Sequence, residues 1–345
     1  MSGQIWGIVS DLHLHGWSAF SSVNEDGINS RLAMQLEELR RAAREVKEAG
    51  GDTLVVAGDV FHVRGSLAPS VLNPVMDTFR DLHDAEHMKI IIIPGNHDLE
   101  GKGSDRVSSA ITALEGVGCM VQHGPIALGH RTFVPWIANV EELKSCLEAL
   151  RIEEDKDLII HAPIDGVIKG LPNCGLSPEY LSGLGFNRVF AGHYHNHKDF
   201  NNGVYSIGAL GHQTWSDIGT KAGFLLVDDE SVTWRKSHAP AFVEIHADTS
   251  VEDVPLIVDG NYIRVKTNTH KASEVAGLRA WLLECGAAGV IIQSVKESKD
   301  VRAATIKSGL TLEASVAEYI STGGFENGEL LKANCARLLG EAVEL

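Results

Sequence analysis

The chain has 345 residues, 44% of them hydrophobic and 22% charged, and carries a net charge of −16 at pH 7. That length predicts a main domain with a smaller companion. The sequence has no apolar run of membrane-spanning length and no basic stretch leading into an apolar one, so a membrane protein and a secreted one are both set aside. The acidic balance also argues against gripping nucleic acid by bulk positive charge, although bound cations would offset part of the acid.

In chain order, the first element is the aliphatic run Ile5–Ser10, which ends on Asp11-Leu12-His13. Asn29–Ala49 predicts a helix, because Leu32, Leu36, Leu39, Ala43 and Val46 recur at helical spacing. Asn29 or Ser30 can cap it and Gly50-Gly51 stops it, while Arg40, Arg41, Arg44 and Lys47 make a solvated face. Thr53–Ala57 is a buried strand running into Gly58-Asp59-Val60-Phe61-His62, and Ser70–His87 is a second helix. Lys89–Pro94 ends on Gly95-Asn96-His97-Asp98, and a third helix covers Val140–Leu150. Asp157–Ile160 leads into His161, and Arg188–Ala191 into Gly192-His193-Tyr194-His195. Alternating strands and helices to this point predict a layered α/β core.

Beyond His195, Val204–Ile207, Gly223–Val227 and Val232–Arg235 read as closely spaced strands or hairpins. A new unit begins around Ser237–Pro240: strands at Phe242–His246 and Tyr262–Thr267, a helix at Ser273–Cys285, and a strand at Gly289–Val295. Leu312–Leu345 reads as an amphipathic helical tail with a break at Gly323-Gly324. The five cysteines, Cys119, Cys146, Cys174, Cys285 and Cys335, are scattered without CxxC spacing and read as reduced thiols of a cytoplasmic protein.

Five strands therefore end on Asp, Asn or His. Ligands of open α/β sheets bind beyond the carboxyl ends of strands, so these side chains can converge on one place. Oxygen and imidazole donors without thiolate favour Mn²⁺, Zn²⁺ or Fe²⁺. Seven donors are too many for one ion that must also stay open to substrate, whereas two ions sharing a carboxylate can use them all. Asp59 is the natural bridge: Asp11, His13, Asp59 and His195 are assigned to one ion, and Asp59, Asn96, His161 and His193 to the other. A pair of ions activates water and neutralises developing charge in phosphoryl displacement. His97 is surplus to the ligand count and is expected to steady the phosphoryl oxygens or protonate the leaving oxygen, with Asp98 orienting its ring. Each motif alone is weak; the five together, in order and each after a strand, are not what core packing produces.

The ordered set DxH, GD, GNHD, H and GHxH, from Asp11 to His195, resembles the calcineurin-like metallophosphoesterases. The resemblance implies a four-layer α-β-β-α sandwich and a dinuclear, usually Mn²⁺-dependent site, with Mg²⁺, Zn²⁺ or Fe²⁺ as other candidates. Protein phosphatases of this kind carry an acid and an Arg soon after GD, in GDxxDRG. This chain has His62 at the place of that acid, and the form GDxFH resembles the Mre11/SbcD nucleases. Ser206–Phe224, with Gly208, Trp215 and Asp217, continues that likeness, and the short length together with Leu14–Phe20 looks most like phage-type members. One departure is Ala209-Leu210-Gly211-His212, where the family is usually Ser-rich.

What this finer resemblance implies is a nuclease domain over 1–238, a small α+β DNA-capping domain over 239–305 and a helical tail over 306–345 that docks on an SbcC/Rad50-like SMC-type ATPase. It also implies that His62 is catalytic, positioning the scissile phosphodiester of DNA duplex ends and single strands, and that the nuclease is a homodimer. The face Val71, Leu72, Val75, Met76 and Phe79 either makes that dimer or packs on its own sheet. Two other readings stand beside the nuclease: a phosphoesterase of nucleotides or small phosphodiesters, and a non-catalytic scaffold, which would be expected to lack ligands.

Overall fold

The structure, a computed structural model, describes residues 4–101, 106–150, 156–246, 249–268, 271–294, 311–322, 325 and 327–343. They form two compact units divided after Gln293.

The first unit holds two six-stranded sheets. In one, β1 (Trp6–Val9), β2 (Thr53–Ala57), β3 (Lys89–Ile93) and β4 (Met120–Val121) run parallel, flanked by antiparallel β11 (Gly223–Val227) and β12 (Val232–Lys236), in the order β12-β11-β1-β2-β3-β4. The other contains β5 (Ile126–Leu128), β6 (Arg131–Val134), β7 (Asp157–His161), β8 (Arg188–Gly192), β9 (Lys198–Asp199) and β10 (Val204–Ser206), in the order β5-β6-β7-β8-β10-β9. Its four inner strands are parallel.

Strand alternation builds the layers. Ile8, Val55, Ile91 and Ile93 point to the cluster between the sheets, where they meet Phe133, Ile159 and Phe190. Their neighbours Val9, Leu54, Val56, Ile90 and Ile92 face outward onto the helices α1 (Ser30–Glu48) and α2 (Pro69–Asp84). On the second sheet Leu158, Ile160 and Val189 face α3 (Val140–Ala149) and α4 (Pro178–Ser182) through Leu143, Leu147 and Leu181. The arrangement is the expected four-layer α-β-β-α sandwich.

The N-cap of α1 is Asn29, whose Oδ1 accepts from Arg31 N at 3.0 Å and Leu32 N at 3.2 Å. Helix α2 stops at Asp84, short of the expected His87, because His87 takes a left-handed φ of 53° that no helix continues through. Val71, Val75 and Phe79 are buried, and Leu72 and Met76 pack against the same cluster, so this face belongs to the core and offers no free dimer surface.

The segment expected as a capping domain folds as a three-stranded sheet, β13 (Phe242–Ile245), β14 (Tyr262–Thr267) and β15 (Gly289–Ser294), with α5 (Val254–Val258) and α6 (Ala272–Glu284). It has its own apolar cluster around Ile263 and Val258 yet lies in the first compact unit. Phe20 stacks on Tyr262 at 4.8 Å, and the Arg31 guanidinium sits over Phe242 and Tyr262 at 5.2 and 5.4 Å. The second unit contains α7 (Leu312–Thr322) and α8 (Gly328–Val343), in contact with each other. The expected boundary at 305/306 and the break at Gly323-Gly324 lie outside the described residues, as does Val295. Among the described residues no helix is long and apolar enough to cross a membrane.

Candidate metal centre

The carboxyl ends of β1, β2, β3, β7 and β8 meet between the two sheets. The chain leaving β1 runs alongside the chain leaving β2: Asp11 N donates to Gly58 O at 3.1 Å and His13 N to Asp59 O at 2.9 Å. Asp11, His13, Asp59 and His193 take φ values of 51°, 45°, 53° and 105°, which turn their side chains at the strand ends. Such left-handed positions cost about 1–3 kcal/mol each and persist only where the surroundings enforce them. Two glycines make the close approach feasible. A Cβ on Gly58 would lie 2.2 Å from His161 Nδ1, and one on Gly95 would lie 2.2 Å from Asp59 Oδ1.

All seven residues assigned as ligands come together. His13 Nε2 lies 3.1 Å from His195 Nε2. Asn96 Oδ1 lies 3.2 Å from His161 Nε2 and 2.9 Å from His193 Nδ1. Asp59 Oδ2 lies 3.6 Å from both His13 Nε2 and His161 Nε2, midway between the two groups. Asp11 Oδ2 accepts from His193 N at 3.0 Å, while its Oδ1 is buried with no hydrogen-bond partner among the described residues.

Hydrogen bonds behind the imidazoles set their tautomers. His161 Nδ1 faces Ala57 O at 2.7 Å, and a carbonyl only accepts, so Nδ1 keeps its proton and the inward-facing Nε2 is the atom a metal would take once its own proton is displaced. His195 Nδ1 faces Asp217 Oδ1 at 2.8 Å, the carboxylate–imidazole pairing that fixes a metal-binding ring. Asp217 Oδ2 accepts from Gln213 N at 2.7 Å and Thr214 N at 2.8 Å, and Gln213 Nε2 in turn donates to Leu12 O at 3.1 Å. Asp217 belongs to the segment Ser206–Phe224 that carries the family likeness, and Thr214-x-x-Asp217, a capping box, is the local signal that marks it. The departure at Ala209–His212 is packing: Ala209 and Leu210 are buried, and His212 accepts from Phe242 N at 3.1 Å.

The electrostatics of the cage call for positive charge. Burial opposes ionisation of His161, yet Asp59 and Asp11 beside it raise its pKa to about 9. Burial, with the neighbouring imidazoles, pushes His13 down to about 3 and His193 to about 4. Two buried carboxylates, inward lone pairs and the orphaned Asp11 Oδ1 fit divalent cations, which would satisfy all three at once.

His97 and His62 stand beside the cage with rings stacked at 5.6 Å. His97 Nδ1 donates to His62 O at 2.7 Å, leaving Nε2 as the ring's free atom, and His97 N donates to Asp59 Oδ1 at 2.8 Å. The expected role of Asp98 needs correcting. Its buried carboxylate accepts from Phe61 N at 3.1 Å and Gly95 N at 2.9 Å and so ties together the two loops that carry Asp59 and Asn96. The His97 ring is oriented by the His62 carbonyl instead.

A family profile described as calcineurin-like phosphoesterase matches residues 7–197, more than half of the chain. The chain belongs to the calcineurin-like phosphoesterases. Members use divalent metal ions, and the His and Asp clusters above are where such ions could bind. No curated protein matches the sequence. Among solved structures, the chain is similar to nuclease MPE of Pseudomonas putida, at 18% identity and a TM-score of 0.31 over 66% of this chain and 86% of that one. A dimetal phosphatase from Danio rerio matches at 10% identity and a TM-score of 0.40, over 68% and 99% of the two chains. Phosphopantetheinyl hydrolase from Mycobacterium tuberculosis matches at 14% identity and a TM-score of 0.35, over 60% and 90%.

Proposed function

We propose that this phosphoesterase is a Mn²⁺-dependent DNA nuclease of the Mre11/SbcD kind, hydrolysing phosphodiesters with a pair of ions held by Asp11, His13, Asp59, Asn96, His161, His193 and His195. Bound ions would supply a nucleophilic water at neutral pH and neutralise charge at the phosphorus.

The observation that carries the reading is the pair His62 and His97 standing beside the seven assigned ligands. Where an acid would repel a polyanionic strand, His62 stands instead. Burial, together with His15 and His97, lowers its pKa to about 4, so it is a neutral hydrogen-bonding ring at pH 7. It can hold a non-bridging phosphate oxygen, while His97, oriented through Nδ1, presents Nε2 to the leaving oxygen. Asp98 acts at a distance by holding both ligand loops in register.

In the same reading β13–β15 caps the DNA, the hairpin α7–α8 docks on an SbcC/Rad50-like ATPase, and the enzyme works as a homodimer. Exposed Tyr319, Leu330 and Leu338 support the docking part.

Wild type, His62→Ala and His97→Ala are to be compared with Mn²⁺ on blunt duplex, circular single-stranded DNA and a small chromogenic diester. Nuclease activity lost at least 100-fold in both variants, with metal content unchanged, is expected. Hydrolysis of the small diester without any cleavage of DNA would replace this reading by that of a small-phosphodiester hydrolase.

A further inference from the structure

We propose that Trp136 is a base-stacking platform beside the reaction centre, so that the site selects unpaired nucleotides of a strand next to the scissile phosphate. This rests on the nuclease reading and narrows its substrate.

Trp136 lies two residues past the end of β6, the strand paired in parallel with β7 in the register Val134↔Ile160. It is thus a sixth strand end delivered to the site, alongside the one that carries His161. Its backbone N–H donates to Pro94 O at 3.0 Å, which ties it across to the loop bearing Asn96 and His97. The indole stacks on the His193 imidazole at 5.1 Å and 23°, and meets His161 edge-on at 5.9 Å.

Core packing does not account for this ring. Trp136 is half-buried and belongs to none of the four apolar clusters, although its neighbour Val134 does. One face of the indole is taken by His193, and among the described residues no other ring stacks on it. Trp17, on the His13 side of the cage, differs: His62 lies 4.5 Å from its ring and the Arg31 guanidinium 5.0 Å. Trp17 is flanked by a ring and a guanidinium, whereas Trp136 has one stacked ring and keeps part of its surface exposed. An indole of that kind suits a π-surface that is present in every base and absent from a bare sugar–phosphate, and stacking of one base is worth about 5- to 150-fold in binding. Inside a duplex both faces of a base are covered by its stacked neighbours, which makes the preferred substrate unpaired and unstacked at this nucleotide.

The test compares oligo-dT with an abasic strand of the same length. Binding is followed by fluorescence anisotropy in EDTA, and cleavage with Mn²⁺, for wild type, Trp136→Ala and Trp136→Phe. Wild type is expected to bind oligo-dT about 5- to 150-fold more tightly than the abasic strand. Trp136→Ala is expected to erase that difference through KM while leaving kcat on the abasic strand and the Mn²⁺ content unchanged, and Trp136→Phe to restore part of it. Equal binding of the two strands by wild type overturns the proposal. So does a parallel fall on both strands with weakened Mn²⁺ binding, which would make Trp136 a support for His193 and nothing more. Failure of the nuclease reading shows differently, as hydrolysis of the chromogenic diester and of neither strand.

Discussion

Replacing Asp217 by Asn keeps the shape of the side chain and removes its charge. The carboxylate now serves three donors: His195 Nδ1 at 2.8 Å, Gln213 N at 2.7 Å and Thr214 N at 2.8 Å. An amide has a single oxygen, so its NH₂ must face at least one of them. If the oxygen stays with the two backbone donors, His195 Nδ1 meets a donor, and its ring is pressed to move its proton to Nε2. Nε2 is the atom turned toward His13 Nε2, at 3.1 Å, and the one a metal needs bare. If the oxygen stays with His195, the backbone turn loses its cap at a cost of about 1–3 kcal/mol for a buried donor left unpaired. Loss of such a supporting carboxylate typically weakens metal binding by about 10- to 100-fold, or about 1.4–2.7 kcal/mol. Calorimetric titration of metal-free protein with Mn²⁺ checks this. One binding step is expected to weaken by that factor, with the step served by Asn96, His161 and His193 preserved. Two unchanged steps in a folded Asp217→Asn protein would refute the reasoning, because they would mean His195 holds its tautomer without help.

Two other outcomes follow from the same geometry. In the metal-free protein burial disfavours charge on His161, but Asp59 and Asp11 raise its pKa to about 9, so the ring holds a proton at neutral pH that a metal must displace. Metal affinity should therefore climb with pH up to about 9, and titrations at pH 7.5 in buffers of differing ionisation enthalpy should show proton release; a pH-independent affinity would count against His161 as a ligand. Deleting residues 311–345 should leave basal cleavage intact and abolish association with an SMC-type ATPase, as read by co-sedimentation, and retained association would remove the tail from that role.

Much of the layered body was legible because buried strands announce themselves. Thr53–Ala57 and Lys89–Ile93 are continuous aliphatic runs since both of their faces are covered, one by the helices and one by the opposite sheet. The clustering of Asp11, Asp59, Asn96, His161 and His193 was legible for the same reason: parallel strands end on one side. Short or irregular pieces gave no such signal. β5, Ile-Ala-Leu, is apolar but spans only three residues and is mostly exposed, too short to show a periodic pattern. Trp136 follows a Pro beyond β6 and carries no ligand chemistry, which left it invisible until the fold placed it on His193. Pairing Asp98 with His97 from adjacency in sequence is a misreading, because Phe61 N and Gly95 N hold that carboxylate against the backbone.

That misreading points to how the cage is held. Four of the seven proposed ligands, Asp11, His13, Asp59 and His193, have a locally unfavourable backbone, so sequence-local preferences cannot keep them in place. The restraint comes from groups that bind no metal. Asp98 joins the loops after β2 and β3, Asp217 anchors His195 and the chain at Gln213, and Gln213 reaches back to Leu12 O between Asp11 and His13. Each of these side chains is buried, and each spans two segments that are distant in sequence. The four left-handed residues are thus over-determined by neighbours. This is the condition under which strained backbone survives in a folded protein, and it lets donors converge before any ion arrives.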